Sequence, residues 1–243
     1  MVAGGDGRPV VGVLALQGDV REHVAALAAV GCRSRLVKRV GDLGGPGGSG
    51  GPGGSGGRVR RDGLDGLVLP GGESTTLSML LESTGLFDAI AGLIAEGMPV
   101  LGTCAGLVLL ATEVLDGRPD QRTFGVLSAV VRRNGYGRQQ QSFETELAFG
   151  EGPALPAVFI RAPVIVSLGD DVEVLATLGS GPGSGPGSGP DAGAVLVRQG
   201  PVVAAAFHPE LTPDRRVHRF FASLCRPGAG CPDRGLVPGR GAP

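Results

Sequence analysis

The feature that most constrains this fold is a short run of consecutive apolar residues, followed by a turn and a helical pattern, that recurs along the chain. Val10–Leu16 is the first such run, and an amphipathic helix follows between Asp19 and Gly31. Uninterrupted apolar strands are typical of parallel sheets, because both faces of such a sheet are covered. Strands alternate with helices in this way in α/β proteins. We therefore expect a three-layer α/β domain, in which a mostly parallel central sheet has helices on both faces.

The same patterns predict the remaining elements. Strands are expected at Arg35–Lys38, Leu64–Leu69, Pro99–Gly102, Gly125–Arg132, Ala157–Arg161, Val172–Ala176, Ala194–Arg198 and Val202–Phe207. Further helices are expected near 74–83, 86–96 and 107–115 and after residue 212. Residues with N-cap chemistry are Asp19 with Glu22 for the first helix, Ser74 or Thr75 for the second, and Thr212 with Pro213 for the last.

Glycine and proline interrupt this pattern in three places. The chain holds 46 Gly and 19 Pro among 243 residues, with the sequence GGPGGSGGPGGSGG inside Gly41–Gly57 and three copies of GSGP inside Thr177–Pro190. Such segments bury too little surface to offset their backbone entropy. We predict one domain over residues 1–226, flexible inserts at 41–57 and 177–190, and a disordered tail at 227–243.

Composition excludes several classes of function. The formal net charge is −1, and the chain has one Tyr and no Trp, whereas a nucleic-acid groove needs a basic stripe or stacking aromatics. Met1–Arg8 lacks the apolar core of a signal peptide, and no apolar run reaches the roughly 18 residues of a membrane span. The four cysteines form no CxxC metal pair. We expect a cytoplasmic protein with no nucleic-acid or membrane partner.

The strongest local signal is Gly102-Thr103-Cys104-Ala105-Gly106, between a short strand and an apolar helix. The G-x-C-x-G pattern is the cysteine form of a nucleophile elbow, a tight strand-to-helix turn that needs small neighbours. The turn exposes its central side chain at the carboxyl end of the sheet, where open α/β folds bind ligands. It also allows the Ala105 amide to point at an oxyanion. The alternative is a buried structural cysteine.

A cysteine nucleophile needs a base and a third group that orients the base. His208 ends the last apolar strand, and Glu210 lies two residues further on, so both side chains lean to the same side of an extended backbone. We interpret Cys104, His208 and Glu210 as a catalytic triad. The alternative is a strand-end histidine beside a solvated glutamate. His23 and His218 are expected on solvated or packing faces of the first and last helices.

Further polar residues suit an amino-acid ligand. In the segment Leu69-Pro70-Gly71-Gly72-Glu73-Ser74-Thr75-Thr76, the glycines let backbone amides approach a ligand, and Glu73 can hold an ammonium group. A phosphate-binding turn, which Glu73 disfavours, and a plain β–α turn are the alternatives. Arg133 and Arg161 suit a carboxylate, or else form surface ion pairs. No nucleotide-binding glycine fingerprint follows a strand.

Together these segments resemble a known family. VGVLALQGDVREH, LPGGESTT, GTCAGL, RRNGYGRQ with SFE, FIRAP and FHPEL are similar, in this order, to the glutaminase subunits of pyridoxal 5′-phosphate synthase complexes. Those subunits are class I, triad-type glutamine amidotransferases with a flavodoxin-like fold. The likeness extends from about Val10 to Cys225, with gaps only at the two inserts. GTCAG with a later His-x-Glu is shared by the wider class, whereas LQGDVREH, PGGESTT and FIRAP are more specific.

The resemblance implies an activity and a role for each site residue. Glutamine is hydrolysed to glutamate and ammonia through a thioester on Cys104, and the ammonia passes to a separate synthase subunit within a large hetero-oligomer. It implies no metal or organic cofactor for this chain. The positions that match those holding glutamine are Gly71, Gly72, Glu73, Arg133, Ile160 and Arg161, and Gln17 matches a residue near the oxyanion region and the partner interface.

Three other functions stay open at this point. One is the glutaminase of another class I complex, against which PGGES and LQGDVREH argue. Another is a non-catalytic binding module on the same fold, which has no need of Cys104, His208 and Glu210 together. The third is a cysteine hydrolase acting on peptides or γ-glutamyl chains.

Overall fold

The computed structural model describes residues 7–44, 63–133, 135, 142–179 and 193–225. The strands within these ranges are β1 Val10–Leu14, β2 Arg33–Val37, β3 Gly66–Leu69, β4 Val100–Thr103, β5 Ala111–Val114, β6 Leu127–Arg132, β7 Ser142–Leu147, β8 Leu155–Ile160, β9 Val164–Leu168, β10 Glu173–Thr177, β11 Ala194–Gln199 and β12 Val202–Ala205. The helices are α1 Val20–Ala29, α2 Ser74–Ser83, α3 Leu86–Ala95, α4 Ala105–Leu110 and α5 Arg216–Leu224, with 3₁₀ helices at Val40–Leu43 and Pro209–Leu211.

A seven-stranded sheet in the order β10-β11-β12-β4-β3-β1-β2 forms the centre of the domain. The five strands from β12 to β2 are parallel, while β11 is antiparallel to both of its neighbours. Helices α1 and α5 contact each other on one face, and α2 contacts both α3 and α4 on the other. The expected α/β architecture with a mostly parallel sheet is confirmed. The continuous apolar runs arise because β3, β4 and β12 are buried on both faces.

The apolar helix after Cys104 is shorter than the sequence predicts, because it ends at Leu110 instead of Leu115. Ala111–Val114 forms β5, which pairs with β6 in a three-stranded sheet completed by β9. Thr112 favours a strand through its branched Cβ, and its hydroxyl donates to the Ala129 carbonyl at 2.9 Å. Apolar composition alone does not separate a buried helix from a buried strand, so the prediction was wrong here.

Two further strands, β7 and β9, are absent from the sequence-based expectation. β7 pairs antiparallel with β8 to form a separate two-stranded sheet. Its residues alternate between exposed and intermediate positions as far as the buried Leu147, so it lacks the apolar run by which the central strands are recognised. The hairpin matters for function, because the His208 N–H donates to the Val158 carbonyl of β8 at 2.8 Å.

The helix caps differ from those expected. The Asp19 side chain makes no cap hydrogen bond to α1, and Glu73, rather than Ser74 or Thr75, caps α2 by accepting from two backbone N–H groups. The last helix begins at Arg216 and not after Thr212, because the Asp214 carboxylate accepts the Arg216 N–H at 2.8 Å. Asp19, which the sequence suggests as a helix cap, is therefore free of that task, whereas Glu73, which the sequence suggests for ligand binding, also caps a helix.

Parts of the two predicted inserts are regular structure. Gly41 to Leu43 belong to the 3₁₀ helix Val40–Leu43, in which Leu43 is fully buried, and Thr177 belongs to β10. The rest of both inserts and the tail at 227–243 lie outside the described residues, apart from Gly44, Leu178 and Gly179. Cys32, Cys104 and Cys225 form no disulfide within the described part of the chain. In that part, no single helix meets the length and apolarity of a membrane span; only α2 and α3 do so as a pair, across a 97° bend.

Candidate active site

The candidate site lies at the carboxyl ends of four neighbouring parallel strands. The loops after β1, β3, β4 and β12 meet there, and they carry Gln17, Glu73, Cys104 and His208 respectively. They surround a cavity of about 490 Å³. A crevice outside the carboxyl ends of the strands is where open α/β sheets bind ligands.

Cys104 occupies the tight turn between β4 and α4 that the sequence predicts. Its backbone is in a strained region with φ 49° and ψ −103°. Gly106 allows the turn, because a Cβ at this position would overlap the Leu69 carbonyl oxygen at the end of the neighbouring strand β3. The Cys104 side chain reaches the cavity, and the sulfur lies 3.9 Å from the Ile160 carbonyl oxygen. The geometry agrees with a nucleophile elbow rather than with a structural cysteine.

His208 lies between the cavity and a buried carboxylate. Its Nδ1 is 2.7 Å from Glu210 Oε1, and the Glu210 side chain is fully buried, which rules out the solvated glutamate that the sequence left open. Gly71 permits this packing, since a Cβ there would overlap the imidazole of His208. Burial alone lowers the pKa of His208, but hydrogen bonds to Cys104 and Glu210 outweigh it and raise the pKa to about 10.

A second carboxylate also reaches His208. Asp19 Oδ2 lies 3.2 Å from His208 Nδ1, although the Asp19 side chain is 39% exposed at the cavity. Burial raises the pKa of Glu210, the hydrogen bond and charge of His208 lower it, and the charge of Asp19 raises it again. His208 thus has one buried and one solvent-facing carboxylate at the same nitrogen.

Asp19, His208 and Glu210 are also the one group in the described ranges with the spacing of a metal site, their ligand atoms lying within 4.8 Å of one another. The nitrogen and oxygen of His208 and Glu210 that meet at 2.7 Å are engaged with each other. His208 and Glu210 are therefore hydrogen-bonded to each other, and we assign no metal to this group of residues.

A charge pair also lines the cavity. Arg133 Nη2 lies 2.6 Å from Glu73 Oε1, and Arg133 Nη1 donates to Thr75 Oγ1 at 2.8 Å. Burial opposes ionisation of Glu73, but the hydrogen bonds from Thr76 and Thr75 together outweigh it and hold its pKa at about 2. Both charges are present at neutral pH and line the cavity. A zwitterionic amino-acid head has the complementary pair of charges.

The remaining cavity wall comes from the loop after β8. Ile160 and Arg161 line the cavity, and Arg161 has φ 43°. Among the described non-glycine residues, only Cys104 and Arg161 have positive φ, and both lie at this site. Backbone strain of this kind costs of order 1–3 kcal/mol per residue and concentrates at functional sites.

The structure brings together nearly every residue singled out from the sequence. Cavity-lining residues from that set are Gln17, Gly72, Glu73, Cys104, Ala105, Arg133, Ile160, Arg161 and His208. Gly71 lies behind the cavity against His208, and Glu210 lies beneath it. Gln17 Oε1 accepts the Glu73 N–H at 3.3 Å, which joins the loop after β1 to the loop after β3.

Sequence reasoning missed the polar residues on the buried side of Glu210. His23 and His218 are fully buried, which agrees with the packing faces and not with the solvated faces expected for them, and His23 Nδ1 lies 3.2 Å from His218 Nε2. A helical pattern held the signal, because His23 stands four residues before Leu27 and His218 three before Phe221, on the apolar faces of their helices. A histidine on the apolar face of a helix is expected to be buried, and a buried imidazole needs hydrogen-bond partners.

Comparison with known proteins gives concordant matches. The model of the SNO glutamine amidotransferase family matches residues 13–226. The chain is 50% identical over 223 residues to the pyridoxal 5′-phosphate synthase subunit PdxT of Kineococcus radiotolerans, covering 90% of this chain and 95% of that protein. Identity to the PdxT of Nocardia farcinica is 49% over 222 residues, covering 90% and 87%.

Solved structures extend the likeness to the fold. A crystal structure of a glutamine amidotransferase matches with a TM-score of 0.71 at 44% identity, covering 88% of this chain and 98% of that one. A more distant glutamine amidotransferase, from Thermotoga maritima, has a TM-score of 0.51 at 14% identity, covering 90% and 91%, and its likeness extends to the fold alone. These structures confirm the fold class expected from the sequence.

Proposed function

The chain belongs to the SNO glutamine amidotransferase family, and on that premise we propose that it is the glutaminase subunit of a pyridoxal 5′-phosphate synthase. It hydrolyses L-glutamine to L-glutamate and ammonia, and a separate synthase subunit, bound in a hetero-oligomer, receives the ammonia. The observation that carries the assignment of roles is one cavity that is lined both by Cys104 and His208 and by the Glu73–Arg133 pair. The names of the relatives at about half identity support this complex over other class I complexes. The cytoplasmic location stays a prediction.

The charge pair binds the amino-acid head of glutamine. Glu73 accepts the α-ammonium group, and the guanidinium of Arg133 or Arg161 donates to the α-carboxylate. Gly71 and Gly72 leave room for the ligand beside this pair, and the backbone of Ile160 borders the side-chain amide. This orientation directs the amide of glutamine towards Cys104.

The sulfur of Cys104 attacks the amide carbon of the substrate. With its pKa at about 10, His208 already holds the proton of Cys104 as an imidazolium when the carbon–sulfur bond forms, and it then donates that proton to the departing nitrogen, so ammonia leaves and a glutamyl thioester remains. His208 next takes a proton from water, which attacks the thioester carbon; the carbon–sulfur bond breaks, and glutamate and the thiol are released. Glu210 holds Nδ1 of His208 throughout and stabilises the imidazolium.

The oxyanion that forms in both attacks needs N–H donors. Ala105 is the first residue of α4, so its N–H has no partner within the helix and is placed beside Cys104. Gln17 orders the opposite wall through its bond to the Glu73 N–H. Gln17 lines the cavity and matches a family position near the partner interface, so we expect docking of the synthase subunit at this loop to affect hydrolysis.

Release of glutamate from glutamine by the purified chain, with and without the synthase subunit, tests the proposal. We expect hydrolysis that rises when the synthase subunit is added and is abolished by Cys104→Ala, with the substituted protein keeping its melting temperature. Hydrolysis that survives Cys104→Ala would overturn the assigned nucleophile. Folded protein with no hydrolysis in either condition would overturn the enzymatic function.

A further inference from the structure

The side of Glu210 that faces away from His208 has a polar environment that the proposed triad does not use. Glu210 Oε1 meets His208, whereas Oε2 is buried and has no hydrogen-bond partner of good geometry among the described residues. The polar atom near it is Nε2 of His23, on α1, at 3.4 Å. A buried carboxylate oxygen is costly unless a donor faces it.

His23 is neutral in this environment. Burial, followed by electrostatic interaction with His218 and His208, lowers the pKa of His23 well below its usual value. Burial, followed by the charge of Arg215, lowers the pKa of His218 to about 4. Each neutral imidazole offers one N–H donor and one acceptor nitrogen. In the hydrogen bond between the two rings, one nitrogen must therefore donate and the other accept, so the tautomer of one ring fixes the tautomer of the other.

Glu210 decides which nitrogen of His23 carries the proton. With the proton on Nδ1, the lone pair of Nε2 would face the Glu210 oxygen, and two acceptors would repel each other. With the proton on Nε2, this N–H faces Glu210 Oε2 and also Thr103 Oγ1, which lies 3.1 Å away. Nδ1 then accepts from the Nε2–H of His218 at 3.2 Å. The remaining Nδ1 of His218 is an acceptor, and it has no partner within the described part of the chain.

The other ionisable groups around Glu210 do not supply this donor. His208 occupies Oε1, and Asp19 carries a charge of the same sign as Glu210. Arg215 donates to the Glu210 backbone carbonyl at 3.4 Å and to the Thr212 carbonyl at 2.6 Å, rather than to the carboxylate.

We propose that His23 is a positioning residue for Glu210, and that His218 fixes its tautomer. The Nε2–H of His23 keeps the Glu210 carboxylate ionised and turned so that Oε1 stays on His208. This inference rests on the roles proposed above for Cys104, His208 and Glu210. It assigns a task to the histidine of the LQGDVREH segment, which lies outside the cavity.

The test measures glutamine hydrolysis by the complete complex with three variants of this chain. His23→Phe keeps a ring but removes the donor, and His23→Gln restores an N–H near the place of Nε2. Leu27→Ala is the matched control, since Leu27 is fully buried on the same helix. We expect His23→Phe to lower kcat by about 30-fold with little change in KM for glutamine, and His23→Gln to recover most of that loss.

The pH profile separates positioning from a merely structural role. Without the donor, Glu210 protonates more easily, so the acidic limb of kcat/KM moves to higher pH by about one unit in His23→Phe. Leu27→Ala lowers the melting temperature but leaves the limb in place. An unmoved limb in His23→Phe, with a loss of activity no larger than in Leu27→Ala, would overturn the proposal.

A measurement on the unsubstituted protein guards against variants that fail to fold. Nitrogen-15 NMR of labelled histidines reports the tautomer of His23 directly, and we expect the proton on Nε2. A proton on Nδ1 would overturn the inference, whatever the activity of the variants. The Cys104→Ala control is independent of both results, so failure of the proposed triad and failure of this inference are distinguishable.

Discussion

The polar groups on the two sides of His208 differ in charge and in burial. On the cavity side, Glu73 and Arg133 are charged, and their side chains are 43% and 20% exposed. On the buried side, the single carboxylate of Glu210 is followed by two neutral imidazoles, all fully buried. Charges near solvent cost little and await a charged ligand, whereas each further charge in the interior costs several kcal/mol unless it is paired. The difference supports the roles proposed above, in which the open side binds the substrate and the closed side orients the base.

The largest effect is expected from removing the buried charge of Glu210. Glu210→Gln keeps the shape of the side chain but presents a neutral amide to His208, which loses its preferred tautomer and the stabilisation of its imidazolium. We expect kcat for glutamate release to fall by about 10³-fold, with KM changed little. Steady-state kinetics of the complete complex measure it. A fall in kcat of less than tenfold would contradict the role of the buried side in orienting His208.

Acid is expected to weaken the buried side before the cavity side. His218 has a pKa of about 4 when folded and about 6.5 when unfolded, so the unfolded state binds more protons between these values. Stability is therefore full above pH 6.5 and falls as the pH drops towards 4, by about 3 kcal/mol for this residue. Glu73 acts in the same direction in a lower window, between about 4.5 and 2.

Urea unfolding at pH 7, 5.5 and 4.5 measures this loss. His218→Gln retains a donor for His23 but does not titrate, so its stability is expected to depend less on pH over the same range. An equal slope in both proteins would show that other groups cause the acid sensitivity.

On the cavity side, a substitution is expected to affect binding more than turnover. Arg133→Ala removes the guanidinium that contacts Glu73 and Thr75, and we expect KM for glutamine to rise by about 30-fold while kcat changes by less than about threefold. Arg122→Ala is the matched control, because Arg122 pairs with Glu82 and Asp88 outside the cavity. A fall in kcat with unchanged KM would place Arg133 with the chemistry instead.

The cavity side could largely be predicted from the sequence, because its residues stand in turns after apolar strands. Cys104 and Glu73 follow β4 and β3 directly, and parallel strands bring such turns to one edge of a sheet. A cysteine and a glutamate are also residue types that an ordinary strand-to-helix turn does not require.

The buried side could not be predicted in the same way. His23 and His218 lie 195 positions apart in the sequence and meet only because α1 and α5 contact each other. Their helical spacing places each histidine on a packing face, but nothing local shows that the two meet each other or approach Glu210. Asp19 was assigned to a helix cap by the same local reasoning, since capping chemistry and contact with a distant imidazole require the same carboxylate. The contact of Asp19 with His208 forms only in the folded chain, so the sequence could not show which of the two uses Asp19 has.

The smallest effect is expected from the second carboxylate at His208. Asp19 Oδ2 lies 3.2 Å from the same Nδ1 that Glu210 contacts at 2.7 Å, but Asp19 is partly exposed and its charge is screened by water. We expect Asp19→Asn to change kcat by less than about threefold. Burial, and to a smaller extent the Asp19 charge, raise the pKa of Glu210, so the substitution moves the acidic limb of kcat/KM to lower pH. This direction is opposite to that expected for His23→Phe. A loss as large as that of Glu210→Gln would mean that the exposed carboxylate, and not the buried one, orients His208.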